Sequence, residues 1–266
     1  MMQTPVIVTF ANQKGGVGKT TLCVTFANYL VAKGVNVIVV DTDLQQSIFK
    51  NRKADIKKYG EASMPYDVIA HNIADRDGMI SLTEKLHNEP SIEVALFDSP
   101  GTLTAAGLVA LLVNSDIIVV PYHYDDATID STGTFILFIE ELRRITGMKA
   151  RLFLIPNLND RRVGTRDELI FWDETRDSFA KFGYVTPKIT RRADMERYST
   201  VAALDRQLRI VSPVYDKIYT EIFDSLEPYR KRELSGIQKT ENLLSKKKTE
   251  EKKCHNRLFT HTLLPS

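Results

Sequence analysis

Apolar runs of strand length recur along the chain, at residues 6–10, 35–40, 92–97, 116–121, 151–156 and 184–189. Most are continuous rather than alternating, which suits parallel strands covered on both faces. Between them the period changes. Leu22, Val24, Phe26, Ala27, Leu30 and Val31 recur at helical spacing and stop at Gly34, a helix-end signal. Phe135, Leu137, Phe138, Ile139, Leu142 and Ile145 make a second stripe that reads as core, and a further helix carries Leu169, Ile170, Phe179 and Phe182. Helices over 201–210 and 214–226 close the pattern. Such alternation predicts an α/β fold with a doubly wound, mostly parallel sheet flanked by helices. Residues 48–90 are the least regular. There Lys50, Arg52, Lys53, Lys57 and Lys58 read as an exposed helical face, and Ile80, Leu82 and Leu86 as a short buried one.

The turn between the first run and the first helix carries the chemistry. It reads Asn12-Gln13-Lys14-Gly15-Gly16-Val17-Gly18-Lys19-Thr20-Thr21. Strand, glycine-rich turn and helix are the context of a phosphate-binding loop. Gly15, Gly16 and Gly18 let backbone N–H groups converge on an anion, and the helix N-terminus adds unpaired donors. Lys19 is placed to reach the β- and γ-phosphates of a nucleotide, and the Thr20 hydroxyl to ligate Mg²⁺. The general pattern G-x-x-x-x-G-K-[ST] wants glycine at position 13. This chain has Gln13 there and a second lysine, Lys14, ahead of the glycine pair.

That variant, K-G-G-V-G-K-T-T, resembles the deviant Walker A motif of the ParA/MinD family of ATPases. The resemblance covers about residues 5–228 and is nearest to the ParA/Soj partition branch. It implies a P-loop NTPase fold of about seven strands, and a dimer closed around two ATP molecules with Lys14 reaching the partner's ATP. Nucleotide contacts fall by the same likeness on Lys14, Gly15, Gly16, Val17, Gly18, Lys19, Thr20 and Thr21. The second run ends in Asp41-Thr42-Asp43-Leu44-Gln45, similar to the family's D-x-D-x-Q segment, with Leu44 where proline is usual. By resemblance Asp43 orients the attacking water and Asp41 supports the lysine and metal shell. Ile92 to Asp98 is an apolar run ending in aspartate, the Walker B arrangement, in which Asp98 holds Mg²⁺ through water. Pro100-Gly101 follows as a switch-like turn.

Later segments add binding candidates. Asn157 to Asp160 imitates the guanine-reading N-K-x-D motif, but Leu158 stands in the lysine position, so GTP specificity is rejected. The resemblance places Asn157 near the adenine, against a turn-forming asparagine as the simpler reading. Arg191, Arg192 and Arg197 fall in a segment that in ParA proteins carries basic residues for non-specific DNA; an exposed charged helix start competes. His123, among tyrosines, reads as a packed histidine.

At 266 residues with 43% hydrophobic and 26% charged side chains, the composition is that of an ordinary globular protein. Two cysteines, Cys23 and Cys254, support neither a disulfide framework nor a metal site, which sets aside iron–sulfur reductases of similar motif. No secretory signal or membrane span is evident, so a cytoplasmic, nucleoid-associated protein is expected. Residues 229–266 hold ten Lys/Arg against four Asp/Glu, a basic polar tail beyond an ATPase domain over 1–228. Such a tail suits nucleic acid or an anionic membrane, and equally a solvating terminus. The expected activity is Mg²⁺-dependent ATP hydrolysis by an ATP-closed homodimer that binds DNA non-specifically, with a stimulating partner of the ParB type, in partition of a plasmid, mobile element or chromosome. A MinD-like membrane ATPase and a P-loop small-molecule kinase or ligase are the alternatives.

Overall fold

A computed structural model describes residues 5–158 and 164–223 of the protein. The first apolar run forms β1 (Val6–Phe10), buried at every position. After the glycine-rich turn come α1 (Lys19–Ala32) and β2 (Val37–Asp41). Then α2 (Ser47–Tyr59), β3 (Asp67–Ala70) and α3 (Arg76–His87) lead to β4 (Val94–Asp98). The second half alternates α4 (Ala106–Val113), β5 (Ile117–Tyr122), α5 (Asp126–Thr146), β6 (Arg151–Pro156), α6 (Arg166–Phe179) and β7 (Tyr184–Val185). A closing helix, α7, spans 205–223. The described residues up to Thr220 make one compact unit.

All seven strands are parallel, in the order β3-β2-β4-β1-β5-β6-β7. β2, β4 and β5 are buried throughout, as β1 is, because helices cover both faces. From β1 the chain winds towards β2, and from β4 it winds the other way to β5. The crevice at the C-terminal ends of β1 and β4 is therefore the switch point where such sheets bind ligands. Register decides what meets there: Asp98 pairs with Phe10 on one side and with Asp41 on the other.

Several sequence expectations are corrected. Arg52 is not on the exposed face of α2 but buried at 3% exposure, while Lys50, Lys53, Lys57 and Lys58 are exposed as expected. A short edge strand, β3, lies within the region read as irregular; its four residues carry too little apolar signal. On α5, Leu137 and Ile145 are exposed, so the core stripe is narrower and runs through Phe135, Ile136, Ile139 and Leu142. On α6 the inward face is Trp172, Thr175 and Phe179, and Leu169 and Ile170 face outward. Pro187 limits the last strand to two residues. The two helices expected over 201–210 and 214–226 are, within the described residues, the single helix α7, with Pro213 inside it. Asp160 and the basic stretch 229–266 lie outside the described residues.

Candidate nucleotide site

The P-loop leaves β1 at Asn12 and is held from both flanks. Asn12 is 1% exposed, and its Nδ2 donates to the Pro121 carbonyl on β5 (2.9 Å) and to Thr132 Oγ1 on α5 (2.9 Å). Its Oδ1 accepts from the Lys14 N–H at 3.2 Å. Further along, Asn157 Nδ2 donates to the Val17 carbonyl at 2.8 Å, and the Asn157 N–H to the Tyr122 carbonyl at 2.8 Å. Gly18 has φ +93°, and a Cβ there would stand 2.3 Å from Asn157 Nδ2, so both the backbone and the space require glycine. Asn157, expected near a base, thus fastens the end of the loop with its amide nitrogen. Above Gly15 and Gly16 an added Cβ would meet nothing within 4 Å, and both residues are exposed, which leaves the loop's rim open.

Across the crevice, Gly101 packs on the loop: a Cβ there would meet Gly15 N at 3.2 Å and Gln13 O at 3.5 Å. The switch-like turn after β4 therefore runs close to the loop's own backbone, and a side chain at 101 would crowd it by a few tenths of an ångström. Ser99 ties the same turn to β1, its N–H and hydroxyl both donating to the Phe10 carbonyl at 3.1 and 2.9 Å. Thr42 does the same for β2, donating from N–H and Oγ1 to the Asp98 carbonyl at 3.0 and 2.7 Å.

The lysines and acids divide their work. Lys19 is buried and its Nζ donates to the Lys14 carbonyl at 3.1 Å. Burial lowers its pKa, while the charges of Asp98 and Asp43 act to raise it. Lys14 is half-buried, and its Nζ has no hydrogen bond or ion pair among the described residues. Thr20 Oγ1 donates to Asp98 Oδ2 at 2.7 Å. Asp98 Oδ1 is buried without a partner among the described residues. Burial pushes the Asp98 carboxyl up to about 7, the Thr20 hydrogen bond opposes, and the Asp41 charge pushes further up. A buried carboxylate oxygen lacking a partner, beside a threonine hydroxyl at the loop's end, fits a hard divalent cation.

Asp41 is fully buried and accepts three backbone N–H groups, from Asp43 (3.2 Å), Ile48 (2.9 Å) and Phe49 (3.0 Å). It therefore caps α2 and shapes the turn that presents Asp43. Burial dominates its raised pKa, against those hydrogen bonds. Asp43 is half-buried, accepts from the Gln45 N–H at 2.8 Å, and stands near enough for its charge to act on Lys19. His123 is packed, with Nε2 buried and no partner among the described residues. Arg191, Arg192 and Arg197 are exposed and belong to the segment after β7, around the 3₁₀ turn at Ala193–Glu196. Asn12 and Gly101 were not singled out from sequence for these holding roles. A buried polar residue before the first glycine is a visible pattern, but nothing in one sequence says what it bonds.

A parallel doubly wound sheet with this loop, paired strand-end aspartates and an open rim defines a P-loop nucleotide-binding protein. The model of the CobQ/CobB/MinD/ParA nucleotide binding domain matches residues 8–251, and the chain belongs to that family. The chromosome-partitioning ATPase Soj of Thermus thermophilus is 26% identical over 168 residues, 56% of this chain and 66% of the relative. The chain thus spans about two thirds or less of the curated relatives it matches. A plasmid partition protein from Borrelia burgdorferi B31, solved with bound AMPPNP, superposes with TM-score 0.62 at 20% identity, covering 84% of this chain and 99% of that one. Cobyrinic acid a,c-diamide synthase from Mycobacterium smegmatis, solved with an ATP analogue and magnesium, gives TM-score 0.58 at 21% identity over 81% and 95%. At such identities these two likenesses speak for the fold alone.

Proposed function

We propose that the protein is a Mg²⁺-dependent ATPase that pairs around two ATP molecules and changes its grip on DNA with nucleotide state, in the manner of partition ATPases. The carrying observation is Lys14. It lies on the rim of an open loop, half-buried, with its amine unpaired among the described residues, while Lys19 already serves the loop's interior. A P-loop needs one lysine; the second is available to a nucleotide held by another copy. Thr20 and Asp98 would hold Mg²⁺, which supplies charge neutralisation at the β- and γ-phosphate oxygens. Lys19 binds and orients the phosphates, Asp41 fixes the turn, and Asp43 accepts a hydrogen bond from the attacking water. Phosphoryl transfer needs mainly this positioning and charge compensation. The exposed Arg191, Arg192 and Arg197 would meet DNA phosphates, and a ParB-type partner would stimulate turnover.

Sizing chromatography and turnover assays with ATP test the reading. Wild type is expected to shift to a dimer, and Lys14→Ala to stay monomeric with turnover lowered by about 10³-fold or more, as for cations supplied in trans. Normal turnover by a monomeric Lys14→Ala protein would refute it. The family's breadth, from MinD and ParA to CobQ and CobB, keeps a ligase in view. Hydrolysis without any added acceptor separates the ATPase from that alternative, and flotation with anionic liposomes separates a MinD-like protein from a DNA binder.

A further inference from the structure

Arg52 is a buried cation in a place the nucleotide site does not explain. All three of its guanidinium nitrogens are used: Nε donates to Thr200 Oγ1 (3.0 Å), Nη2 to the Thr200 carbonyl (2.8 Å) and Nη1 to the Tyr66 carbonyl (2.5 Å). The guanidinium also lies over the Tyr66 ring, 4.5 Å from its centroid. Thr200 is itself fully buried, and its N–H and hydroxyl both donate to Asp55 Oδ2, at 3.1 and 2.7 Å. One turn of α2 thus grips a residue 148 positions away from both sides. The neighbouring Ser199 carbonyl accepts from Asn28 Nδ2 on α1 at 2.8 Å.

Both helices in this clamp start at the candidate nucleotide site. α1 begins at Lys19, and α2 is held by Asp41 through the N–H groups of Ile48 and Phe49, four and three residues before Arg52. At its other end, Thr200 lies three residues beyond Arg197, whose carbonyl accepts from the buried Gln207 on α7 at 3.2 Å. A buried guanidinium is costly to desolvate, so apolar packing would serve stability as well. What the fork supplies in addition is fixed geometry between two segments.

We propose that Arg52, with Asp55 and Thr200, is a positioning residue that makes the 197–200 segment follow α2, and so couples the nucleotide site to the exposed Arg191, Arg192 and Arg197. The inference rests on the reading above that nucleotide state sets the grip on DNA. Retention on duplex DNA is measured with a non-hydrolysable ATP analogue and with ADP, for wild type, Thr200→Val, Arg52→Lys and Thr200→Ser, alongside nucleotide affinity and thermal melting. Thr200→Val keeps the shape and removes the hydroxyl that joins Arg52 to Asp55. It is expected to fold and to bind nucleotide within about twofold of wild type, while the ATP-to-ADP retention ratio falls about fivefold or more, the lower range of ordinary site coupling. Arg52→Lys is expected to behave alike, because an ammonium cannot reproduce the fork. Thr200→Ser keeps the hydroxyl and is expected to keep the ratio. Should Arg52→Lys fail to fold, Thr200→Val decides. A folded Thr200→Val protein with the wild-type ratio overturns the coupling. Equal retention of wild type in both nucleotides overturns the functional reading, and the coupling with it.

Discussion

The two flanks of the P-loop are built from different chemistry. On the β2 and β4 side stand carboxylates, Asp41, Asp43 and Asp98. Towards β5 and β6 the loop is held by amides, Asn12 from the loop itself and Asn157 from the end of β6, both nearly fully buried and both donating to backbone carbonyls. A buried carboxylate is costly and titrates; Asp98 is already pushed up to about 7 by its burial. A buried amide with its hydrogen bonds made holds position at every pH. The difference separates the flank where a cation and a reacting phosphate belong from the flank that only has to keep the loop in place. If that separation is real, damage on the amide side should appear as lost stability, and damage on the acid side as lost function.

The largest expected effect on stability comes where the loop meets its amide support. Gly18→Ala must place a Cβ in a left-handed conformation, costing ~1–2 kcal/mol, and must displace Asn157 Nδ2 from the Val17 carbonyl. Urea denaturation is expected to show a loss of about 2–4 kcal/mol in all. Adding Asn157→Ala removes the clash but not the backbone strain, so the double variant should lose less than the two singles combined. Strict additivity would mean that Asn157 does not press on Gly18.

Next in size is Asn12→Ala. It leaves the Pro121 carbonyl and the Lys14 N–H without their partner. The expected loss is ~2–3 kcal/mol by denaturation, from unmade hydrogen bonds in a buried place. Asn12→Asp keeps the acceptor towards Lys14 but sets a carboxylate against the Pro121 carbonyl, and it should be no better. Recovery of wild-type stability by Asn12→Asp would erase the distinction between the flanks.

How far the sequence foretold this architecture differs between the flanks as well. The acid flank was legible because its residues end continuous apolar runs: Asp41 and Asp98 stop β2 and β4, and parallel register then brings them together. The glycines and lysines of the loop were legible by spacing. The holding residues were not, since Asn12 bonds to groups 109 and 120 positions away, and Asn157 to one 140 away. No local pattern records such partners. Arg52 failed for a related reason: among four other basic residues its period looked like a solvated face, and only the tertiary fold brings Thr200 and Tyr66 over it. β3 was hidden because an edge strand of four residues, only one of them buried, leaves hardly any apolar run to detect.

The smallest expected effect on stability belongs to the acid side, and it sharpens the contrast most. In Asp98→Asn the amide oxygen can still accept from Thr20 Oγ1, so that hydrogen bond need not be lost. The other carboxylate oxygen has no partner to lose among the described residues. Replacing a buried acid by a neutral isostere removes its repulsion with Asp41 and Asp43 together with its attraction to Lys19. It also spares the cost of a buried charge, which partly offsets placing an N–H₂ where a cation would sit. Unfolding free energy without nucleotide is therefore expected to change by less than ~1 kcal/mol. Function should move in the opposite proportion. The amide nitrogen cannot take a cation, so Mg²⁺ should no longer tighten nucleotide binding in calorimetry, and ATP turnover should fall by about 10²-fold or more, as when a main electrostatic stabiliser is removed. A variant that unfolds by several kcal/mol, or one whose nucleotide binding still responds to Mg²⁺, would show that Asp98 belongs with the structural amides and not with the reacting side.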